Sequence, residues 1–125
     1  MKLRVPFAAS SVPVARQRLK AWLTESGTPT EVIDDARIII SELVANSVRH
    51  AQPLPGGDIE ISWRLERRGL VITVSDGGSG TRPRKVAAPS SALAGRGMAI
   101  VESLADTWWS DQSRARSTVH AILAV

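Results

Sequence analysis

The sequence contains no cysteine, which removes disulfides, thiolate nucleophiles and thiolate metal sites together. Its two histidines cannot complete a structural zinc centre, so any metal ion has to be held by oxygen. No stretch approaches the roughly 18 uninterrupted apolar residues of a membrane-spanning helix. The start, Met1-Lys2-Leu3-Arg4-Val5-Pro6, also lacks the apolar segment of a signal peptide. The chain therefore reads as cytoplasmic and without membrane contact. The phosphate-loop pattern GxxxxGK followed by Ser or Thr is absent, which excludes P-loop nucleotide chemistry. Charge of one sign does not dominate either: sixteen Lys plus Arg face twelve Asp plus Glu, a net charge of +4. The cations are scattered through all segments with no aromatic-interleaved basic stretch, which argues against direct nucleic-acid binding.

What is present is a chain of 125 residues with 43% hydrophobic content, the size and composition of a single domain spanning 1–125. Lys2 to Phe7 alternate polar and apolar. Val12, Ala15, Leu19, Trp22 and Leu23 then follow helical spacing, with Ser10 or Ser11 as cap, Pro13 in the first turn and Gly27 and Pro29 as the stop. A longer helix is expected after a Thr30 cap, with Glu31 in its first turn and Val32, Ile33, Ala36, Ile39, Ile40, Leu43 and Val44 on its apolar face. Period-2 alternation returns at Asp58 to Glu66, with Ile59, Ile61, Trp63 and Leu65 on one face. After the turn Arg67-Arg68-Gly69 it continues at Leu70 to Ser75, so the two segments read as an antiparallel hairpin. Residues 76 to 95 hold so many small and turn-forming residues that they read as a loop, with a lid over Thr81 to Ala94. Arg96 to Leu104 reads as a short helix, and Thr107 to Ser110 and Thr118 to Val125 as two last strands. Because helices and strands do not strictly alternate, the expected class is α+β, a two-layer sandwich with a mixed, mostly antiparallel sheet and helices on one face.

Three constellations in this frame could carry chemistry. Glu42, Asn46 and His50 recur every four residues, which sets them along one edge of the long helix at the border of its buried face. Such a stripe is common on amphipathic helices, but it also offers a carboxylate and a neutral oxygen donor of the kind Mg²⁺ accepts when phosphates share its shell. Asp76-Gly77-Gly78-Ser79-Gly80 directly follows an apolar strand. The glycines let backbone approach a flat ring, and an ionised Asp76 would accept from the exocyclic amine of adenine while repelling the oxygen of guanine. Gly95-Arg96-Gly97-Met98 is expected to open the short helix, where free amides and the helix dipole attract an anion. Arg96 could itself reach phosphate.

Glu42-Leu43-Val44-Ala45-Asn46-Ser47-Val48-Arg49-His50, Asp76 to Gly80 and Gly95 to Met98 match in order the E-x-x-x-N-x-x-x-H, D-x-G-x-G and G-x-G boxes of the GHKL ATPase superfamily. The chain resembles that superfamily, whose domain is the Bergerat fold, and most of all its anti-sigma factor serine kinase branch. The resemblance implies ATP and Mg²⁺ as ligands, with Glu42 polarising the attacking hydroxyl or water, Asn46 on Mg²⁺ and Asp76 on the adenine amine. It further implies that Gly78 and Gly80 shape the adenine pocket, that amides from Gly95, Arg96, Gly97 and Met98 hold phosphates, and that Thr118 helps fix adenine through water. The sequence departs from the family pattern at Ser47, where alanine is common, at Arg116-Ser117, where glycine is expected, and in a lid carrying Arg82, Arg84 and Lys85. Outside the boxes, Trp108-Trp109 on a strand should point one ring inward and one outward, and His50 should bond a neighbour rather than act as a base.

Two functions fit. As an enzyme the chain would transfer the ATP γ-phosphate to a serine of an anti-anti-sigma (STAS-like) partner. As a non-catalytic module it would sequester a sigma factor or another regulatory partner in an ATP-dependent way. Only the enzyme needs Glu42, and either function leaves room for a homodimer.

Overall fold

The computed structural model describes residues 1–78, 84–86, 91–113 and 115–125, with backbone alone for 84–86 and 91–97. Its elements run β1 (Lys2–Pro6), α1 (Ser11–Glu25), α2 (Thr30–His50), β2 (Asp58–Glu66), β3 (Gly69–Asp76), β4 (Arg84–Val86), α3 (Ser91–Leu104), β5 (Thr107–Gln112) and β6 (Ser117–Leu123). The strands form one six-stranded sheet in the order β1-β2-β3-β6-β5-β4. Every described pairing is antiparallel, so the parallel component allowed by the sequence is not among them. The three helices form the second layer, with α2 in the middle between α1 and α3 and packed on β3 and β6. This is the expected two-layer α+β sandwich.

Alternation decides which face of the sheet the helices cover. Ile61 and Trp63 of β2 stand opposite Val74 and Ile72 of β3, which in turn stand opposite Val119 and Ala121 of β6. Ile61, Trp63, Ile72, Val74 and Ala121 are buried, and with Leu19, Leu23, Ile39, Ile40 and Val44 from the helices they make one core cluster. Each such aliphatic side chain contributes about 1.5–3 kcal/mol by leaving water, so this seam holds the two layers together. Trp63 also meets Trp22 of α1 edge-on, ring centroids 6.4 Å apart. Residues of opposite parity, including Ser75, Thr118 and His120, lie on the other face of the sheet.

Several local expectations need correction. Helix α2 is capped by Pro29 rather than Thr30: Val32 and Ile33 both donate to the Pro29 carbonyl, and Thr30 is already helical. Proline's fixed φ suits the residue before the first turn, and its carbonyl satisfies donors without a side-chain cap. Ser10 does precede α1 but makes no side-chain cap, while Ser11 Oγ donates back to the Pro6 carbonyl at 2.6 Å. Leu65 shares the face of Ile61 but is 42% exposed, because β2 there runs past the helix layer. The largest difference falls in the expected loop, where residues 84–86 form β4 against β5 and α3 begins at Ser91. Ala92, Leu93 and Ala94 are strong helix formers and carry the helix back past the glycines. The other residues of the expected lid lie outside those described.

Candidate nucleotide site

Helix α2 and the end of β3 meet at Asp76. Its side chain shares the inward face with Ile72 and Val74, is only 4% exposed, and accepts from the hydroxyl of Ser47 on α2 and from the Gly78 amide at 2.8 Å. Burial pushes the Asp76 carboxyl above its ordinary value. The Ser47 hydroxyl, the Gly78 amide and the positive charge of Arg116 act against that shift. Ser47, a departure from the pattern, therefore has a structural role. Where alanine is usual, this chain supplies a donor to the buried carboxylate.

Backbone alone builds the turn beyond Asp76. Gly77 donates to the Gln52 carbonyl at 2.8 Å and Gln52 donates to the Gly78 carbonyl at 3.0 Å, which clamps the strand end to the segment following α2. A Cβ on Gly77 would stand 2.2 Å from the Pro53 carbonyl oxygen, so only glycine fits that approach. Gly78 has φ +76, a conformation that side chains avoid. Gly80 lies outside the described residues.

Glu42 and Asn46 lie on α2 one helical turn apart, about 6 Å along its axis. Glu42 is half-buried, and no hydrogen bond or ion pair engages it among the described residues. Asn46 Oδ1 is buried without a hydrogen-bond partner. A buried acceptor left open is costly unless something else fills it, and a hard cation would fill it well. No group of three or more Asp, Glu, His or Cys that could hold a metal occurs among the described residues. A cation at Asn46 would thus take its other ligands from phosphate and water, as Mg²⁺ commonly does. His50, the last residue of α2, is exposed and no described residue bonds its ring, contrary to the expected structural partner.

Thr118 and the four residues of the Gly95 to Met98 box are placed differently from expectation. Thr118 Oγ1 meets Ser75 Oγ at 2.9 Å on the sheet face opposite to Asp76. Its neighbour Ser117 stands directly across from Asp76 in register, on the same face. The parity of Val119, Ala121 and Leu123 could have revealed this, since Ser117 continues their row. Gly95, Arg96, Gly97 and Met98 do not open α3. They lie in its second turn, where amides donate within the helix rather than outward. Met98 is buried in the core cluster. Trp108 and Trp109 behave as expected: Trp108 is buried, and Trp109 stacks on His120 with centroids 4.7 Å apart.

Residues 5–123 match the family described as the histidine kinase-like ATPase domain. The chain belongs to that family. An anti-sigma F factor of Clostridium acetobutylicum is 28% identical to the ATPase domain over 126 residues, covering 94% of this chain and 88% of that protein. A serine-protein kinase RsbW of Listeria innocua is 28% identical over 116 residues, covering 83% of this chain and 74% of the relative. The RsbW of Staphylococcus aureus is 32% identical over 80 residues, 62% of this chain and 50% of that protein. These relatives place the domain in the anti-sigma kinase-like branch of the GHKL superfamily, and the family implies ATP binding. No helix among the described residues is long and apolar enough to cross a membrane.

Proposed function

We propose that this domain is a cytoplasmic serine kinase that transfers the ATP γ-phosphate to a serine on an anti-anti-sigma, STAS-like partner. The observation that carries the reading is the register of one helix. Over six residues α2 brings a half-buried carboxylate (Glu42), a buried amide oxygen without a partner (Asn46) and the hydroxyl that anchors Asp76 (Ser47) to one end of the sheet.

In this mechanism Asp76 accepts from the adenine amine and thereby selects ATP over GTP. Ser117, across from Asp76, is better placed than Thr118 for a water-mediated contact to the base. Asn46 would hold Mg²⁺ together with the phosphates, and the chemistry such an ion would supply is neutralisation of phosphate charge. Glu42 accepts the proton of the attacking serine hydroxyl. For the amides of Gly95 to Met98 to receive phosphate, the first turns of α3 must give way. Gly95 and Gly97 each lower helix stability by about 1 kcal/mol relative to alanine, so this segment yields at small cost.

Phosphotransfer and ATP binding measured on wild type and Glu42→Ala test the proposal. Phosphorylation of the partner should fall by about 10² to 10⁴ in the variant while ATP binding persists. Full transfer by Glu42→Ala would remove Glu42 from the mechanism. Absence of transfer by wild type, with ATP-dependent partner binding intact, would leave a non-catalytic module.

A further inference from the structure

Arg116 belongs to the Arg116-Ser117 pair that departs from the glycine of the family pattern, at the end of the turn between β5 and β6 and next to Ser117, the register partner of Asp76. Its Nη2 donates to Glu60 Oε2 at 3.0 Å, reaching across β3 to β2 on the sheet face away from the helices. Lys2 Nζ meets the other oxygen, Glu60 Oε1, at 3.3 Å, so the carboxylate is held from two sides. The Arg116 carbonyl accepts from the backbone amide of Ser113 at 2.7 Å and from its hydroxyl at 3.1 Å, which closes the turn. The backbone of that closed turn lies against Gly78: a Cβ there would sit 3.7 Å from Arg116 N and C and 3.8 Å from the Ser113 carbonyl oxygen.

We infer that Arg116, held in place by Glu60, is a positioning residue of the nucleotide site: it seats the β5–β6 turn against Gly78 and sets a positive charge behind the Asp76 carboxylate. The inference rests on the nucleotide reading of Asp76 given above and adds a residue that the family pattern does not supply. Three constraints converge. Gly78 donates to Asp76, so whatever fixes Gly78 fixes one of the two bonds that orient the carboxylate. The turn runs within the width of one methyl group of Gly78, and the Gln52 and Pro53 backbone holds the Gly77–Gly78 unit through two hydrogen bonds and the close approach at Gly77. Without its pairing to Glu60, the half-exposed Arg116 side chain would be free to swing off the sheet, and the Ser113 bonds alone would hold the turn. Burial works against the ionised carboxylate, and Arg116 is the cation whose charge favours it. A half-exposed ion pair adds little to global stability, so its effect should be local to the site.

Arg116→Ala, Glu60→Gln, Arg116→Lys and the double variant Arg116→Ala/Glu60→Gln provide the test. ATP affinity by calorimetry should weaken about three- to fivefold in either of the first two. The double variant should be no worse than Arg116→Ala alone, because both changes break one unit. Arg116→Lys should recover part of the loss, and melting temperatures without ligand should stay close to wild type. Amide exchange at Gly78, followed by NMR without nucleotide, should speed up in both single variants. Wild-type ATP affinity in Arg116→Ala, additive losses, or unchanged Gly78 exchange would each overturn the inference. If the wild-type protein binds no ATP, the nucleotide reading fails. The exchange measurement then still decides whether Arg116 positions the Asp76 turn.

Discussion

Replacing Ser47 by alanine removes one of the two hydrogen bonds that orient Asp76, and the structure fixes how the loss should depend on pH. Ser47 is 4% exposed and no solvent can replace its hydroxyl at the buried carboxylate. A hydrogen bond to a charged group contributes about 1.5–3 kcal/mol, against about 0.5–1.5 for a neutral one. At a pH above the folded pKa of Asp76, where it is ionised, Ser47→Ala should therefore lower stability by about 1.5–3 kcal/mol, or roughly 5–15 °C in Tm for a domain of this size. The sign with pH follows from linkage. Because burial raises the Asp76 pKa in the folded state, its favourable contribution is complete below the unfolded value and is lost as pH rises through the folded value. Ser47 offsets part of that loss by favouring the ionised form. The gap between wild type and variant should thus be widest above the folded pKa and narrow toward the neutral-bond value in acid. Urea unfolding at a series of pH values reads this directly. A loss that is the same at every pH would mean that the hydroxyl serves packing rather than the charge, and no loss would show that the bond contributes nothing.

Asp76→Asn should abolish the preference for ATP over GTP in melting shifts, since an amide can also donate to the guanine oxygen; an unchanged preference would place base reading elsewhere. ATP affinity should decline in acid at a higher pH than an ordinary aspartate would give, because the raised pKa protonates Asp76 early; a decline confined to the usual carboxylate range would refute the burial effect. Gly77→Ala should cost about 2 kcal/mol or more and disrupt the pairing with Gln52, since the new Cβ meets the Pro53 carbonyl; a wild-type melting curve would refute the close approach. Gly97→Ala should stiffen α3 and weaken ATP binding, if the amides of this segment are freed only by unwinding. Tighter binding in that variant would count against helix opening.

Local pattern was sufficient wherever one face of an element is buried. The apolar stripe of α2 and the alternation of Ile59, Ile61 and Trp63 are both consequences of a single inward face, and the structure follows them. It was insufficient where register or termini decide. Thr118 and Ser117 are adjacent letters; the parity of Val119, Ala121 and Leu123 carries Ser117 inward, but the pairing of β6 with β3 is needed to set it across from Asp76. Helix α3 starts ahead of its glycines, which read as punctuation, because Ala92, Leu93 and Ala94 before them extend the helix. Leu65 fits the stripe but outruns its cover. The placement of Glu42 and Asn46 along α2 and of Asp76 at the end of β3 was legible from spacing. Their supporting residues, Ser47, Glu60 and Arg116, were not, because nothing in spacing tells that a serine on a helix, a glutamate on β2 and an arginine in a distant turn share one carboxylate's surroundings.

The placement of Glu42, Asn46 and Ser47 on one uninterrupted helix separates chemistry from occupancy along a single rod. In the proposed mechanism, substitution at position 42 would alter whether a phosphoryl group moves and substitution at 46 or 47 whether nucleotide is held, with about one helical turn between the two outcomes. A phosphotransferase and a nucleotide-gated clasp are thus neighbouring designs on this scaffold. A lineage could pass from one to the other by a single codon without disturbing the core or the sheet.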